Sequence, residues 1–267
     1  MIKPMLCGSR KKDEIPTGDN WVHEVKYDGI RALAVIEGGK IVKMQGRSNP
    51  DIASRYPELV GAKVAKSNVS CVIDGEVCVF NKDGTIDFNG IQHREQNEKP
   101  FMIELMAKKY PVMYCVFDII EYQGKSIRCK TLAERRKLLE ATIIPFAFLK
   151  LSEQEYDGKK LFAKQVKCEG EGIISKELSG TYDDDKRTTW IKIKYFKEAK
   201  VRVNSYLINP RGIKAIGTWG KCQVTGRQAE PLKTLIDKNG SAEIEIQFLN
   251  RTESGAYRMP TYRGLVG

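Results

Sequence analysis

Glu24-Val25-Lys26-Tyr27-Asp28-Gly29-Ile30-Arg31 is the stretch on which the reading of the whole chain turns. It follows an apolar pair, Trp21-Val22, and precedes a strand-like run over residues 32–36. Asp28-Gly29 is a common two-residue turn signal, which makes a hairpin with Lys26 on its solvated flank one reading. The other reading is chemical. Lys is almost never fully buried unless paired, so this position suits a core badly. A desolvated Lys near other cations loses its proton more readily and becomes a nucleophile. Taken alone, the stretch favours the hairpin.

Working outward, four more stretches embed charge in strand-like sequence: Ile73-Asp74-Gly75-Glu76-Val77, Cys115-Val116-Phe117-Asp118-Ile119-Ile120, Glu171-Gly172-Ile173-Ile174-Ser175-Lys176 and Trp190-Ile191-Lys192-Ile193-Lys194. The last alternates strictly, so Trp190, Lys192 and Lys194 point to one face. Each alone reads as a half-exposed strand. Together they are hard to treat as independent accidents, because each local charge costs stability unless paired or used. They describe a cleft lined by two sheets. In it Lys192 and Lys194 suit a phosphate, Glu76 and Glu171 suit a hydroxyl pair or a hard divalent cation, and Phe117 suits a stacked base. That is a nucleotide site with Lys26 alongside.

Composition sets the bounds. At 267 residues the chain holds one large domain or two unequal ones. Lys and Arg exceed Asp and Glu by 11, which points to a polyanionic partner, most often nucleic acid. The sequence offers no membrane span and no secretory signal. Seven cysteines without a C-x-x-C pair argue against structural zinc and for reduced thiols in a cytoplasmic protein.

Along the chain, residues 21–45 read as a strand meander turning at Gly38-Gly39, and 56–66 as a helix from the spacing of Leu59, Val60 and Val64. Residues 70–80 and 112–120 read as strands, and 88–110 as helix broken near Pro100. Thr131 with Glu134 is a capping box opening a helix over 131–141. A further helix is expected over 159–166, with strands at 172–176 and 190–195. Beyond residue 196 the texture changes to short β-branched runs separated by Gly, Pro and Asn, expected to form a small all-β barrel. Between residues 197 and 267 there are 12 Lys and Arg against 6 Asp and Glu. The domains are accordingly 1–196 and 197–267.

In order and spacing, Lys-x-Asp-Gly-x-Arg, Gly46-Arg47, Asp-Gly-Glu, Phe-Asp, Glu-Gly-x-x-x-Lys and Trp-x-Lys-x-Lys resemble the motif series of the covalent nucleotidyltransferases. The chain is most similar there to minimal, two-domain ATP-dependent DNA ligases. Lys3-Pro4-Met5-Leu6, Arg47-Ser48-Asn49 with Tyr56-Pro57-Glu58-Leu59, and residues 88–94 add to the resemblance. The implied fold class is α+β: an adenylation domain of antiparallel sheets with flanking helices, then an all-β oligonucleotide-binding (OB) fold. The implied activity is sealing of nicked duplex DNA by a monomer with ATP and Mg²⁺, Mn²⁺ being an alternative.

The resemblance also implies roles. Lys26 attacks the α-phosphate, Glu24 contributes to adenine recognition and Phe117 stacks on adenine. Arg31 and Arg47 contact the ribose or the DNA 5′-phosphate. Glu76 serves the ribose hydroxyl or the metal, and Glu171 the metal. Lys192 neutralises the α-phosphate, assisted by Lys194 and Lys176, and Arg187 matches a basic residue preceding these in many relatives. Asp28 is open between turn and site, while Asp74 and Asp118 read as structural. The second unit's basic excess fits tracking of the DNA backbone, and Arg258 and Arg263 are candidate phosphate contacts. The family's last motif begins at Arg258-Met259-Pro260, but Val266 stands where a second Arg is expected. That places efficient self-adenylylation in question. With 25 residues before Lys26, the helical DNA-binding domain of larger ligases is expected to be missing. RNA ligases, capping enzymes and an inactive nucleic-acid-binding relative are the alternatives.

Overall fold

A computed structural model describes residues 3–48, 50–182, 187–252 and 254–266. Asn49 of the Arg47-Ser48-Asn49 stretch lies outside the described residues, as do Met1, Ile2 and Gly267. The chain divides into two compact units, Met1–Lys194 and Tyr195–Gly267. The expected boundary lay two residues further on.

The first unit contains the strands β1 (Gly8–Arg10), β2 (Trp21–Val25), β3 (Ile30–Glu37), β4 (Lys40–Gly46), β5 (Cys71–Val79), β6 (Val112–Tyr122), β7 (Lys125–Ser126), β8 (Leu149–Leu151), β9 (Gly172–Glu177) and β10 (Trp190–Lys194). Its helices are α1 (Phe88–Glu95), α2 (Pro100–Lys109), α3 (Leu132–Thr142) and α4 (Gly158–Lys167). The larger sheet has the order β4-β3-β5-β6-β7, with β8 added on β6, and the smaller one β1-β10-β9-β2. Most pairings are antiparallel, but β1 with β10 and β8 with β6 are parallel, so the sheets are mixed. The β6-to-β8 connection runs through α3, the kind of long crossover that a parallel pair needs.

β2 and β3 lie in different sheets. Asp28-Gly29 therefore links two sheets and does not close a hairpin, and the meander expected over 21–45 is broken there. Gly29 makes this link possible. A Cβ at that position would lie 2.3 Å from the Val77 carbonyl oxygen and 2.7 Å from Cys78 Sγ, so no other residue lets the backbone press this closely on β5.

Alternation divides the larger sheet's faces. Ile73, Val77, Tyr114 and Val116 enter the main core, each worth about 1.5–3 kcal/mol as a fully buried side chain. Thr131 caps α3 as expected, its hydroxyl accepting from the Glu134 amide while Glu134 accepts from the Thr131 amide. Residues 56–66 are not helical, and a short 3-10 turn precedes them over Ala53–Arg55. Tyr56, Leu59, Val64 and Ala65 reach the core from consecutive turns, and Gly61 at φ 79° takes the chain out of helical geometry.

The second unit contains β11 (Lys197–Val203), β12 (Ser205–Asn209), β13 (Gly212–Gly217), β14 (Gly220–Thr225), α5 (Ala229–Asn239), β15 (Ala242–Phe248) and β16 (Thr261–Leu265). Two three-stranded sheets, β11-β15-β16 and β12-β13-β14, share an almost continuous first strand interrupted only at Asn204. The unit is not all-β as expected, because α5 is a helix. Ala229, Leu232 and Ile236 are buried on one side of it, and Gly240 ends it with φ 72°. Pro231 reads as a breaker in sequence but falls in the first turn, where an amide has no intrahelical partner to lose. Among the described residues, no helix is long and apolar enough to cross a membrane.

Candidate active site

In the smaller sheet, β9 pairs with both β2 and β10, and three charged residues gather at one end of these strands. Lys26 follows β2 and its amide donates to the Gly172 carbonyl at 3.0 Å. Lys194 closes β10 in register with Gly172, and Glu171 immediately precedes β9. Lys26 Nζ pairs with Glu171 Oε2, and Lys194 Nζ lies 3.1 Å from Oε1. Gly172 holds φ at 128°, and a Cβ there would sit 2.1 Å from the Ile193 carbonyl oxygen. Only glycine brings Glu171 this close to both lysines. One buried carboxylate between two ammonium groups leaves a net positive charge, which suits an incoming anion.

Register places Glu24, Lys176, Trp190, Lys192 and Lys194 on one face of the smaller sheet. Glu24 and Lys176, 1% and 2% exposed, pair at 2.8 Å, and Gln154 donates to the other Glu24 oxygen at 3.1 Å. The Lys176 ammonium lies 4.4 Å from the Phe117 ring and 4.3 Å from the Trp190 ring. Phe117 meets Trp190 edge-on at 5.8 Å.

Across the larger sheet, register aligns Arg31, Glu76, Cys115 and Lys150 on neighbouring strands, with Phe117 two positions along β6. Arg31 is committed to protein partners. It donates to Asp74 from Nε at 3.0 Å and from Nη2 at 2.6 Å, and to the Met5 carbonyl from Nη1 at 2.6 Å. Tyr182 donates its hydroxyl to Asp74 at 2.7 Å. The guanidinium therefore positions the Phe117–Trp190 wall, lying 5.5 and 5.7 Å from the two rings. This bidentate clamp accounts for Asp74, and a second one between Arg135 and Asp118, both fully buried, accounts for Asp118.

Burial pushes the Glu76 carboxyl up to about 7. Arg31 and Lys26 oppose the shift, and Asp74 and Glu171 reinforce it. Among the described residues there is no cluster of three or more acid, His or Cys side chains able to hold a metal by themselves. Glu76 and Glu171 offer hard oxygen donors that fit Mg²⁺ when it completes its shell with phosphate oxygens and water.

Not every expected residue lies on the strands of this group. Arg47 is exposed in the turn after β4. Arg258 and Arg263 belong to the second unit, where the Arg258 backbone bonds to Asn250 and Leu249 and the Arg263 side chain donates to Gln247. Gln154, Tyr182 and Lys150 are site neighbours that the sequence reading missed. Only the alternation Leu149-Lys150-Leu151 carried a signal for one of them.

The family model described as "ATP dependent DNA ligase domain" matches residues 4–194. The chain is 30% identical over 209 residues to the SPbeta prophage-derived DNA ligase-like protein LigB of Bacillus subtilis, covering 77% of this chain and 72% of that one. It is 27% identical to the bifunctional non-homologous end joining protein LigD of the same organism, over 77% of this chain but 35% of LigD. It is 28% identical to DNA ligase C2 of Mycolicibacterium smegmatis, over 81% of this chain and 60% of that ligase. Two solved structures share the fold. One is the ligase domain of M. tuberculosis LigD, with TM-score 0.62 and 22% identity over 99% of this chain and 94% of that one. The other is a Lig E DNA ligase, with TM-score 0.69 and 15% identity over the whole of both chains.

Proposed function

The chain belongs to the ATP-dependent DNA ligase family, and from that premise we propose that it seals 5′-phosphate/3′-hydroxyl nicks in duplex DNA through an AMP carried on Lys26. The observation that carries this reading is the gathering of Lys26, Glu171 and Lys194 at three adjacent strand ends, on the sheet face that also holds Trp190 and Lys192.

In the first step Lys26 Nζ gives up a proton and attacks the α-phosphorus of ATP. A phosphorus–nitrogen bond forms, the bond to the β-phosphate oxygen breaks, and pyrophosphate leaves. Glu171, paired with Lys26, orients the amine and favours transfer of its proton away from the line of attack. Lys194 and Lys192 neutralise charge building on the α-phosphate. Phe117 gives the adenine a stacking face. Glu24, held by Lys176 and Gln154, offers the base edge a carboxylate. In the second step the 5′-phosphate of the nick attacks the carried AMP, freeing Lys26. In the third the 3′-hydroxyl attacks the activated 5′-phosphate, and AMP leaves. Mg²⁺, or Mn²⁺ in its place, would be held by Glu76 and Glu171 and would neutralise the transferring phosphates. Arg47 is assigned to the strand's 5′-phosphate. Arg31 supports the ribose side from its clamp on Asp74.

The first unit, Met1–Lys194, is assigned as an adenylation domain and the second, Tyr195–Gly267, as an OB domain. A first strand shared by two three-stranded sheets, with a helix between the fourth and fifth strands of the unit, supports the OB assignment. Its basic excess, including Arg258 and Arg263, supports contact with the DNA backbone. The enzyme acts as a monomer in the cytoplasm, where its seven free cysteines stay reduced.

The test is incubation with α-labelled ATP and Mg²⁺. A label that survives denaturation in the parent and disappears in Lys26→Ala is expected. A parent that stays unlabelled, and fails to seal a pre-adenylylated nick, would overturn the reading.

A further inference from the structure

Lys150 is a cation that none of these roles uses. It sits on β8, in register with Cys115, which is in register with Glu76, which is in register with Arg31. Directly opposed residues share a face, so Lys150 stands on the face of the larger sheet that carries Glu76 and Phe117. Its ammonium lies 4.5 Å from the Phe80 ring and 5.9 Å from the ring of Tyr27, the residue after the nucleophile. Tyr27 is itself half-buried, and burial raises its phenol well above the usual range, so it stays neutral beside the lysine.

Four other cations nearby have carboxylate partners, and Lys192 is assigned to the α-phosphate. Lys26 and Lys194 share Glu171, Lys176 holds Glu24, and Arg31 holds Asp74. Among the described residues no carboxylate pairs with Lys150. A half-buried ammonium held between two ring faces, with no carboxylate beside it among the described residues, keeps its charge available to an incoming anion. The same rings fix its position, so little side-chain freedom remains to be lost when an anion arrives. We propose that Lys150, walled by Phe80 and Tyr27, forms a phosphate-binding subsite beside Lys26. The proposal rests on the reading of Lys26 as the group that carries AMP. Its phosphate comes either from the pyrophosphate portion of ATP or from the 5′-end of the nicked strand.

The experiment measures calorimetric binding of two probes, inorganic pyrophosphate and a nicked duplex with a 5′-phosphate. A duplex with a 5′-hydroxyl serves as the reference for the second. Lys150→Met keeps the packing over both rings and removes the charge, and Lys150→Arg restores it. Lys150→Gln serves in place of the methionine variant if that one unfolds. The neutral variant is expected to weaken one probe by about tenfold, and the arginine variant to recover most of it. A loss confined to pyrophosphate assigns the ATP side, and a loss confined to the 5′-phosphorylated duplex assigns the strand. Parent-like binding of both probes by the neutral variant, with an unchanged unfolding midpoint, overturns the subsite, as does a parent that binds neither probe. Self-labelling of the parent runs alongside. A label with no effect of Lys150→Met rejects the subsite alone. No label with a persisting loss of probe binding rejects AMP transfer and leaves the phosphate subsite standing.

Discussion

Replacing Glu24 by Gln keeps the shape of the side chain and removes the charge that Lys176 faces. Both residues are almost fully buried, so the lysine loses its counter-ion with little water to replace it. Breaking a buried pair from one side costs about 3–5 kcal/mol. The Phe117 and Trp190 faces, 4.4 and 4.3 Å from the ammonium, remain in place, and such contacts are worth roughly 1–2 kcal/mol each when desolvated. They keep the loss near the lower bound, about 3 kcal/mol. Urea unfolding of the Met1–Lys194 unit measures it, with Trp190 fluorescence reporting from beside the pair. Lys176→Met strands the carboxylate in its turn. In the double variant neither charge remains, so its loss falls short of the sum of the two single losses by about 2 kcal/mol or more. A loss below about 1 kcal/mol for Glu24→Gln, or strict additivity in the double variant, would refute the claim that this pair is a buried, mutually dependent unit.

Gly172→Ala forces a methyl against the Ile193 carbonyl at a positive φ. It should cost roughly 1–3 kcal/mol in backbone strain alone and abolish self-labelling by displacing Glu171, which a denaturation curve and the α-labelled ATP assay would show together. Glu76 gives a pH signature. Its carboxyl titrates at about 7 in the folded chain against an ordinary 4.5, so between those values the folded chain holds a proton that the unfolded chain has lost. Stability should therefore fall by up to about 3 kcal/mol as pH rises through that window and level off above it, and Glu76→Gln should remove the slope. Binding to nicked duplex should weaken roughly a thousandfold between 50 and 200 mM salt, as for about six neutralised phosphates. Salt-independent nanomolar binding would contradict the backbone-tracking role of the basic second unit.

The site was more legible in the sequence than the path of the chain around it. Charges at alternate positions, as in Trp190-Ile191-Lys192-Ile193-Lys194, declare a shared face before any strand pairing is known. What alternation does not declare is the partner. Asp28-Gly29 carries the chemistry of a hairpin, and only the close approach to Val77 and Cys78 sends β2 and β3 to different sheets. Arg31 looks like a ligand-facing cation until Asp74, itself held by Tyr182 and distant in sequence, claims its donors. Residues 56–66 have apolar spacing that consecutive turns satisfy as well as a helix does. In α5 Pro231 falls in the first turn, where it is compatible with a helix, and the burial of Ala229, Leu232 and Ile236 holds that helix to the unit. Lys150 joined the site through a three-residue strand, too short to stand out by composition.

Glu171 has both oxygens engaged, one by Lys26 and one by Lys194. An arriving anion that draws Lys194 away leaves a carboxylate oxygen open to a cation, and a cation taking that oxygen leaves Lys194 open to an anion. The two ligands thus share one thermodynamic linkage. Each raises the affinity of the other by the same factor, whichever binds first. A ligand of only one sign would have to displace an ion pair without that help, so on the proposed reading this end of the sheet would respond most strongly to a metal and a polyphosphate presented together.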